Sequence, residues 1–201
     1  MKLLPSSLQI LVEEFSKLPG VGERSALRYA LSLMRSGKNA YKDLARALME
    51  VGESVDSCPR CHFWTDSGHC PLCSNSQLHS ETLCVVRDSP DVLALEKFRT
   101  HGWRYHVLQG LLSPLQGVGP QRLRLNTLFS RIKEDGVKEL ILALDATLEG
   151  DATALYIRDY LQEHFPEVKI SRTALGLPAG SSVEYLDPST LEQALMHRTG
   201  L

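Results

Sequence analysis

Two rhythms of apolar and polar positions divide the chain. Over residues 5–56 apolar side chains recur at helical spacing, with no β-rich run. Leu8, Leu11, Val12 and Phe15 predict a helix from about Ser6 to Lys17, stopped where Pro19, Gly20 and Gly22 cannot continue it. Ala26, Leu27, Ala30, Leu31 and Met34 stripe a second helix that breaks at Ser36-Gly37. A third, from about Asn39 to Val51, is expected to bury Tyr41, Leu44, Ala45, Leu48 and Met49. Further on, strands alternate with helices. Thr82–Arg87, Tyr105–Gln109, Leu140–Leu144 and Val168–Ser171 read as strands; Pro90–Lys97, Leu123–Asp135 and Glu149–His164 read as helices. The last helix carries Ala152, Leu155, Tyr156, Tyr160 and Leu161 as its apolar set. This order predicts an α/β fold (α+β over the whole chain), a mainly parallel sheet with helices on both faces. Val183–Leu186 would add an edge strand and Pro188–His197 a final helix.

Between the two rhythms lies a short polar stretch holding Cys58-Pro59-Arg60-Cys61 and, after eight intervening residues, Cys70-Pro71-Leu72-Cys73. Two CxxC pairs this close offer four thiolates to one tetrahedral ion. That soft, closed shell suits one structural Zn²⁺ per chain, which supplies folding free energy the segment cannot gain from apolar burial. Three alternatives compete. Paired disulfides would need an oxidising compartment, a redox CxxC normally comes singly, and His62 or His69 could replace a cysteine. The two histidines are otherwise expected to be solvated neighbours, and the fifth cysteine, Cys84, a small buried apolar residue.

Charge sharpens the picture. The chain has 201 residues and a net charge of −2, but residues 1–50 carry eight Lys/Arg against five Asp/Glu. From Lys97 to Lys133 there are Lys97, Arg99, Arg104, Arg122, Arg124, Arg131 and Lys133, and no acid. Such a run predicts an anionic partner. No apolar run reaches membrane-spanning length and the start lacks a signal-peptide pattern, so the expected location is the cytoplasm, with no membrane partner.

Leu18-Pro19-Gly20-Val21-Gly22 between two helices resembles the helix-hairpin-helix motif. Gly20 and Gly22 let backbone approach a phosphate, the amides opening the next helix point at the anion, and Arg24 and Arg28 share one helix face. Contacts of this kind read no bases, so binding would be sequence-independent and salt-sensitive. Arg122 and Arg124 are expected on the same channel or on a partner surface. Gly117-Val118-Gly119-Pro120 echoes the turn, with a plain loop stop as the favoured reading. Trp103 and Tyr105 flank Arg104 and could stack on bases, core packing being favoured for at least one.

Ligands of parallel sheets sit beyond the strands' carboxyl ends. Two such ends carry charge: Arg87-Asp88, and Asp145 with Glu149 and Asp151, a set that could hold Mg²⁺. Taken in order, the Leu-Pro-Gly-Val-Gly turn, the cysteines, Leu112-Ser113-Pro114-Leu115-Gln116-Gly117-Val118-Gly119-Pro120 and Glu149-Gly150-Asp151-Ala152-Thr153 resemble the RecR family of bacterial recombination mediators. The resemblance implies a helix-hairpin-helix module at 1–56, a C4 zinc finger at 57–76, a Toprim-like domain at 81–176, and a C-terminal strand and helix at 177–201 with an oligomer contact. It also implies a non-catalytic, tetrameric DNA clamp that acts with RecO, and in many bacteria RecF, to load RecA. Toprim enzymes hold Mg²⁺ through a glutamate and a DxD pair. Here Arg87 stands for the glutamate and Thr147 for the second aspartate, Asp145 keeping the first, so the site is degenerate and counts against Mg²⁺. A Mg²⁺-dependent Toprim nuclease or primase is the alternative.

Overall fold

The computed structural model describes the chain apart from residues 1–2, 67, 76, 79–80, 99–101, 175–176, 178–179, 197 and 199–201, and apart from the side chains of 38, 98 and 189. The chain forms two compact units, residues 1–55 and 56–201.

The first unit is helical. Helices α1 (Ser6–Ser16), α2 (Glu23–Arg35) and α3 (Lys38–Ser54) follow the predicted order. Val12, Ala26 and Ala30 are buried together, with Leu8, Leu11, Phe15, Val21 and Leu27 packed around them. Two small alanines let α1 and α2 approach closely, and the Phe15 and Tyr29 rings meet edge to face at 6.3 Å. The expected burial of the α3 stripe is corrected. Tyr41 is half-buried, whereas Leu44, Ala45, Leu48 and Met49 are exposed, because α3 meets little but α2. Met34 of α2 is exposed too.

Beginning at the unit boundary, β1 (Val55–Ser57) pairs with β2 (Trp64–Asp66) in a two-stranded sheet. Then come β3 (Thr82–Val86), α4 (Ser89–Leu95), β4 (Arg104–Val107), α5 (Leu125–Glu134), β5 (Glu139–Ala143), α6 (Leu148–His164) and β6 (Lys169–Arg172). The four long-range strands pair in parallel in the order β4-β3-β5-β6. Side-chain alternation gives the sheet two different faces. Leu83, Val85, Leu140 and Leu142 pack on α5 and α6 through Leu125, Leu128, Ile132, Ile157 and Leu161. Cys84, Val86, Tyr105 and Val107 face Val92 of α4, but also Cys58, Cys61, Phe63 and Cys70. The second face is therefore covered by one short helix and the cysteine segment, not by helices alone.

Two further expectations are corrected. Residues Val183–Tyr185 form a 3-10 turn, not an edge strand, followed by α7 (Pro188–Met196); His197 lies outside the described residues. On α6 the buried positions are Gly150, Thr153, Ala154, Ile157 and Leu161, while Leu155 and Tyr156 are exposed. The small residues face inward because the helix starts hard against the β5 loop: a Cβ on Gly150 would collide with the Asp145 carbonyl. Thr153 Oγ1 donates to the Glu149 carbonyl at 2.6 Å and accepts the Leu112 amide at 2.9 Å, tying the 112–118 loop to the helix.

Candidate metal centre and nucleic-acid interface

The knuckle folds back on itself through local backbone bonds. His62 donates its amide to the Cys58 carbonyl at 2.9 Å and Cys58 to the Phe63 carbonyl at 2.8 Å. The amide of Val107 on β4 donates to the Cys61 carbonyl at 2.9 Å, stitching the knuckle to the sheet edge. Cys58, Cys61 and Cys70 are buried and Cys73 is exposed. Their Sγ atoms all lie within 4.8 Å of one another, with Cys61–Cys70 at 3.4 Å and Cys58–Cys73 at 3.9 Å. Zinc–sulfur bonds of about 2.3 Å in a tetrahedron require sulfurs about 3.8 Å apart. The four residues fit a metal ion, and among the described residues they are the one such group of His, Cys, Asp or Glu.

His62 is not a solvated neighbour, as expected from its place beside Cys61. It is buried, edge to face with the buried His106 at 5.3 Å. Burial, with Arg124 and Arg131 nearby, lowers its pKa. His106 Nε2 donates to the Arg124 carbonyl at 2.9 Å, and burial drives its pKa down to about 3, so the ring is neutral. His69 is exposed. Cys84 is fully buried as expected, its thiol pushed up to about 12.

A second cluster borders the cysteines. Asp135, at the end of α5, has a side chain only 2% exposed and accepts from three guanidiniums. Arg60 of the knuckle, Arg104 of β4 (2.9 Å) and Arg131 of α5 (3.0 Å) all reach it. Burial alone would raise the Asp135 carboxyl, but the three cations overturn this and hold it below its usual range. Arg131 also donates to the Tyr105 carbonyl. The basic run from Lys97 to Lys133 is thus less available than its composition suggests: Arg104 and Arg131 serve a buried acid two residues beyond it. Arg122, Arg124, Lys97 and Lys133 are exposed, Arg124 also donating to Gln109 Oε1 at 2.8 Å. Arg99 lies outside the described residues. Tyr105 is buried in the core with Trp103 packed against it, so Tyr105 presents no ring for a base. In the 112–118 loop the amides of Gly117 and Val118 donate to the Pro114 and Ser113 carbonyls, which makes the turn a loop stop.

Beyond the carboxyl ends of the strands the charges meet as pairs. Arg87, after β3, binds Asp145, after β5. Arg172, ending β6, holds Asp151 at 2.6 Å. Thr147 caps α6, its Oγ1 accepting the Gly150 amide at 3.1 Å, and Asp88 caps α4 in a reciprocal capping box with Asp91. Asp145, Glu149 and Asp151, the set that could have held Mg²⁺, do not form such a cluster in the structure, and two of them pair with guanidiniums.

At the other candidate surface Gly20 adopts φ +77°, a left-handed conformation that a side chain would strain. Gly22 precedes α2 with no side chain capping the first amides, and neither glycine has anything within 4 Å of where a Cβ would stand. Arg24 and Arg28 are exposed, Arg28 lying 5.5 Å from the Tyr29 ring centre. Glu23, in the same first turn, partly offsets their charge.

Residues 8–51 match the family model described as RecR, helix-hairpin-helix, residues 81–174 the Toprim domain and residues 176–199 the model described as RecR, C-terminal. A recombination protein RecR of Rippkaea orientalis is 44% identical over 191 residues, 95% of each chain. One from Pelobacter propionicus is 43% identical over 197 residues, and one from Bdellovibrio bacteriovorus 41% identical over 203, each alignment covering 98% of both chains. The chain belongs to the RecR family. Its role lies in recombination, as the name of these relatives states, and no described helix is long and apolar enough to cross a membrane. Within this RecR chain two residues escaped the sequence reading. Asp135 carried a signal, standing four residues after Arg131 at a helix end. Arg172 carried one too: it ends the strand beside β5, where a parallel sheet gathers its ligands.

Proposed function

We propose that this RecR-family chain is a non-catalytic, DNA-binding adaptor of recombinational repair in the cytoplasm, braced by one structural zinc ion on Cys58, Cys61, Cys70 and Cys73. The observation carrying the non-enzymatic reading is the pair of ion bridges Arg87–Asp145 and Arg172–Asp151, which neutralise the acids that metal-dependent phosphoryl transfer would need. A guanidinium within bonding distance of a carboxylate fills the place of the divalent cation, so Mg²⁺ has no vacancy of net negative charge to enter. When bound, zinc supplies folding free energy and no open coordination position, and the four thiolates of this chain hold it.

DNA binding rests on the Gly20–Gly22 turn, whose uncapped amides open α2 beside Arg24 and Arg28, with Arg122 and Arg124 as a second exposed pair. Such groups contact phosphates only, as a sliding clamp requires. Copies associate into a tetrameric ring, and the ring works with RecO, and RecF where it is present, to load RecA. The exposed apolar stripe of α3 supports self-association.

Mobility shifts on duplex DNA across a salt series test this reading. Wild-type protein is expected to bind at low salt and release steeply as salt rises. R24E with R28E, and separately R122E with R124E, should weaken binding and reduce the log–log salt slope by about one per lost phosphate contact. Binding unchanged by a pair removes that pair from the DNA surface. Cleavage of labelled DNA by wild-type protein with Mg²⁺ would overturn the non-enzymatic reading and favour a Toprim nuclease.

A further inference from the structure

Most arginines of the sheet unit are committed to acids. Arg60, Arg104 and Arg131 meet Asp135, Arg87 binds Asp145 and Arg172 binds Asp151. Arg124 is held differently. Its amide donates to the Leu108 carbonyl at 3.1 Å, and its carbonyl accepts from His106 Nε2 at 2.9 Å. Its Nε donates to Gln109 Oε1 at 2.8 Å. Three residues at and just beyond the end of β4 thus fix both the backbone and the side chain of an exposed arginine. Among the described residues no carboxylate lies at ion-pair distance from Arg124, and neither of its Nη atoms finds a hydrogen-bond partner.

Gln109 itself sits at φ +59°, in the left-handed region, where His62 is the one other non-glycine among the described residues. A side chain in that region is strained, and such strain persists only where the surroundings hold it. Here the knuckle holds it. Gln109 Nε2 donates to Ser57 Oγ at 3.0 Å and, over a longer 3.5 Å, to the His62 carbonyl. A carbonyl only accepts and an arginine Nε only donates, so the two contacts agree on which way the amide faces. Its nitrogen grips the knuckle and its oxygen grips the arginine. A carboxylate in this place would grip as firmly but would cancel the charge. The neutral amide leaves the charge whole. By engaging Nε it also leaves the two Nη groups to fork onto one phosphate.

We propose that Gln109 is a positioning residue for DNA binding: it holds the Arg124 guanidinium in place as a ready phosphate fork, without touching DNA itself. The inference rests on the reading of Arg124 as a DNA contact. Ordering a long side chain at the moment of binding costs affinity, and a side chain ordered beforehand avoids that loss. Arg122, two residues earlier, is exposed and has no such holder among the described residues, so the two arginines of this pair are unequal by construction. The strained turn after β4 thereby carries the order of the knuckle to a cation on the surface.

Equilibrium binding of fluorescently labelled duplex DNA to full-length protein, read by anisotropy at fixed low salt, tests this with R124A, Q109G and the two combined. Glycine takes the left-handed backbone without strain, so Q109G removes the amide and keeps the turn. Its thermal unfolding midpoint should not fall below that of the wild type. Q109N tolerates the same backbone, is one carbon shorter, and should reproduce the Q109G result. R124A is expected to weaken binding, and Q109G to weaken it at least about threefold, the effect of freeing one long side chain. Once Arg124 is gone, Q109G should add nothing. A structural role for Gln109, or a direct contact of its own with DNA, would weaken binding alike with and without Arg124, and that result overturns the proposal. So does Q109G binding like wild type while R124A binds weakly. R124A binding like wild type removes Arg124 from the DNA surface and fails the reading on which the inference rests, a result distinct from the other two.

Discussion

At the scale of single residues, the loop after β5 turns its side chains to a helix cap and an ion pair. Thr147 stands where the resemblance to Toprim enzymes expects an acid, and its hydroxyl caps α6 by accepting the Gly150 amide. Aspartate caps a helix as well as threonine does. The exchange therefore keeps the cap and removes one charge. Arg87 goes further and reverses a charge, and its bridge to Asp145 is partly exposed, contributing at most about 1 kcal/mol. Function, not stability, is what this pair decides. R87E combined with T147D is expected to raise Mg²⁺ affinity above that of the wild type, with little effect on folding. Calorimetric titration with Mg²⁺, or Mn²⁺ followed by its paramagnetic signal, measures this directly. No binding by the double variant would mean that the geometry of the loop, and not the charge of Arg87, keeps the ion out. Arg87 and Thr147 stood out in the sequence because the Toprim resemblance expects acids at fixed places after the strands. Arg172 was not read, since its partner, Asp151, lies in the first turn of α6 and only the pairing of β5 with β6 brings the two together.

At the scale of elements, periodicity located the helices but misassigned one face and the burial of another. On α6 the larger residues Leu155 and Tyr156 suggested one face, while the sheet takes the face of Gly150, Thr153, Ala154 and Ile157. A hydrophobicity count favours bulk, whereas a helix that must begin against a loop favours the absence of it. On α3 the face was read correctly and its burial was not. Leu44, Leu48 and Val51 recur at helical spacing, and Leu48 and Val51 are 63% and 57% exposed. An apolar stripe without cover inside its own unit is the expected form of a surface completed by another copy of the chain. L48E with V51E should leave the folded unit intact, since exposed substitutions rarely shift stability by more than about 0.5 kcal/mol. The same pair should lower the mass measured by light scattering. An unchanged mass would take α3 out of the assembly contact.

At the scale of the whole molecule, the sequence reads as consecutive modules, and the segment with the fewest apolar residues proves to be part of a core. Cys58, Cys61, Phe63 and Cys70 are buried with Cys84, Val86, Val92, Tyr105 and Val107, so the knuckle closes one face of the parallel sheet. Spacing picked out the four cysteines that cluster because CxxC pairs are local. It could not reveal the lid, because the contacts run from residues 58–70 to residues 84–107 and depend on the sheet's strand order. Metal loss should therefore be felt well beyond the knuckle. Stripping zinc with a chelator, or C58S with C61S, is expected to expose Val86 and Val107 and to free the Val107 amide from the Cys61 carbonyl, 2.9 Å away. Hydrogen exchange resolves this by residue. The β4 amides should lose protection on metal removal, while amides of α2, in the other compact unit, keep theirs. Thermal unfolding should then separate into two steps, because only the sheet unit loses its brace. If Val107 stays protected without metal, apolar packing alone holds the knuckle on the sheet, and the zinc ion orders no more than the loop that carries it.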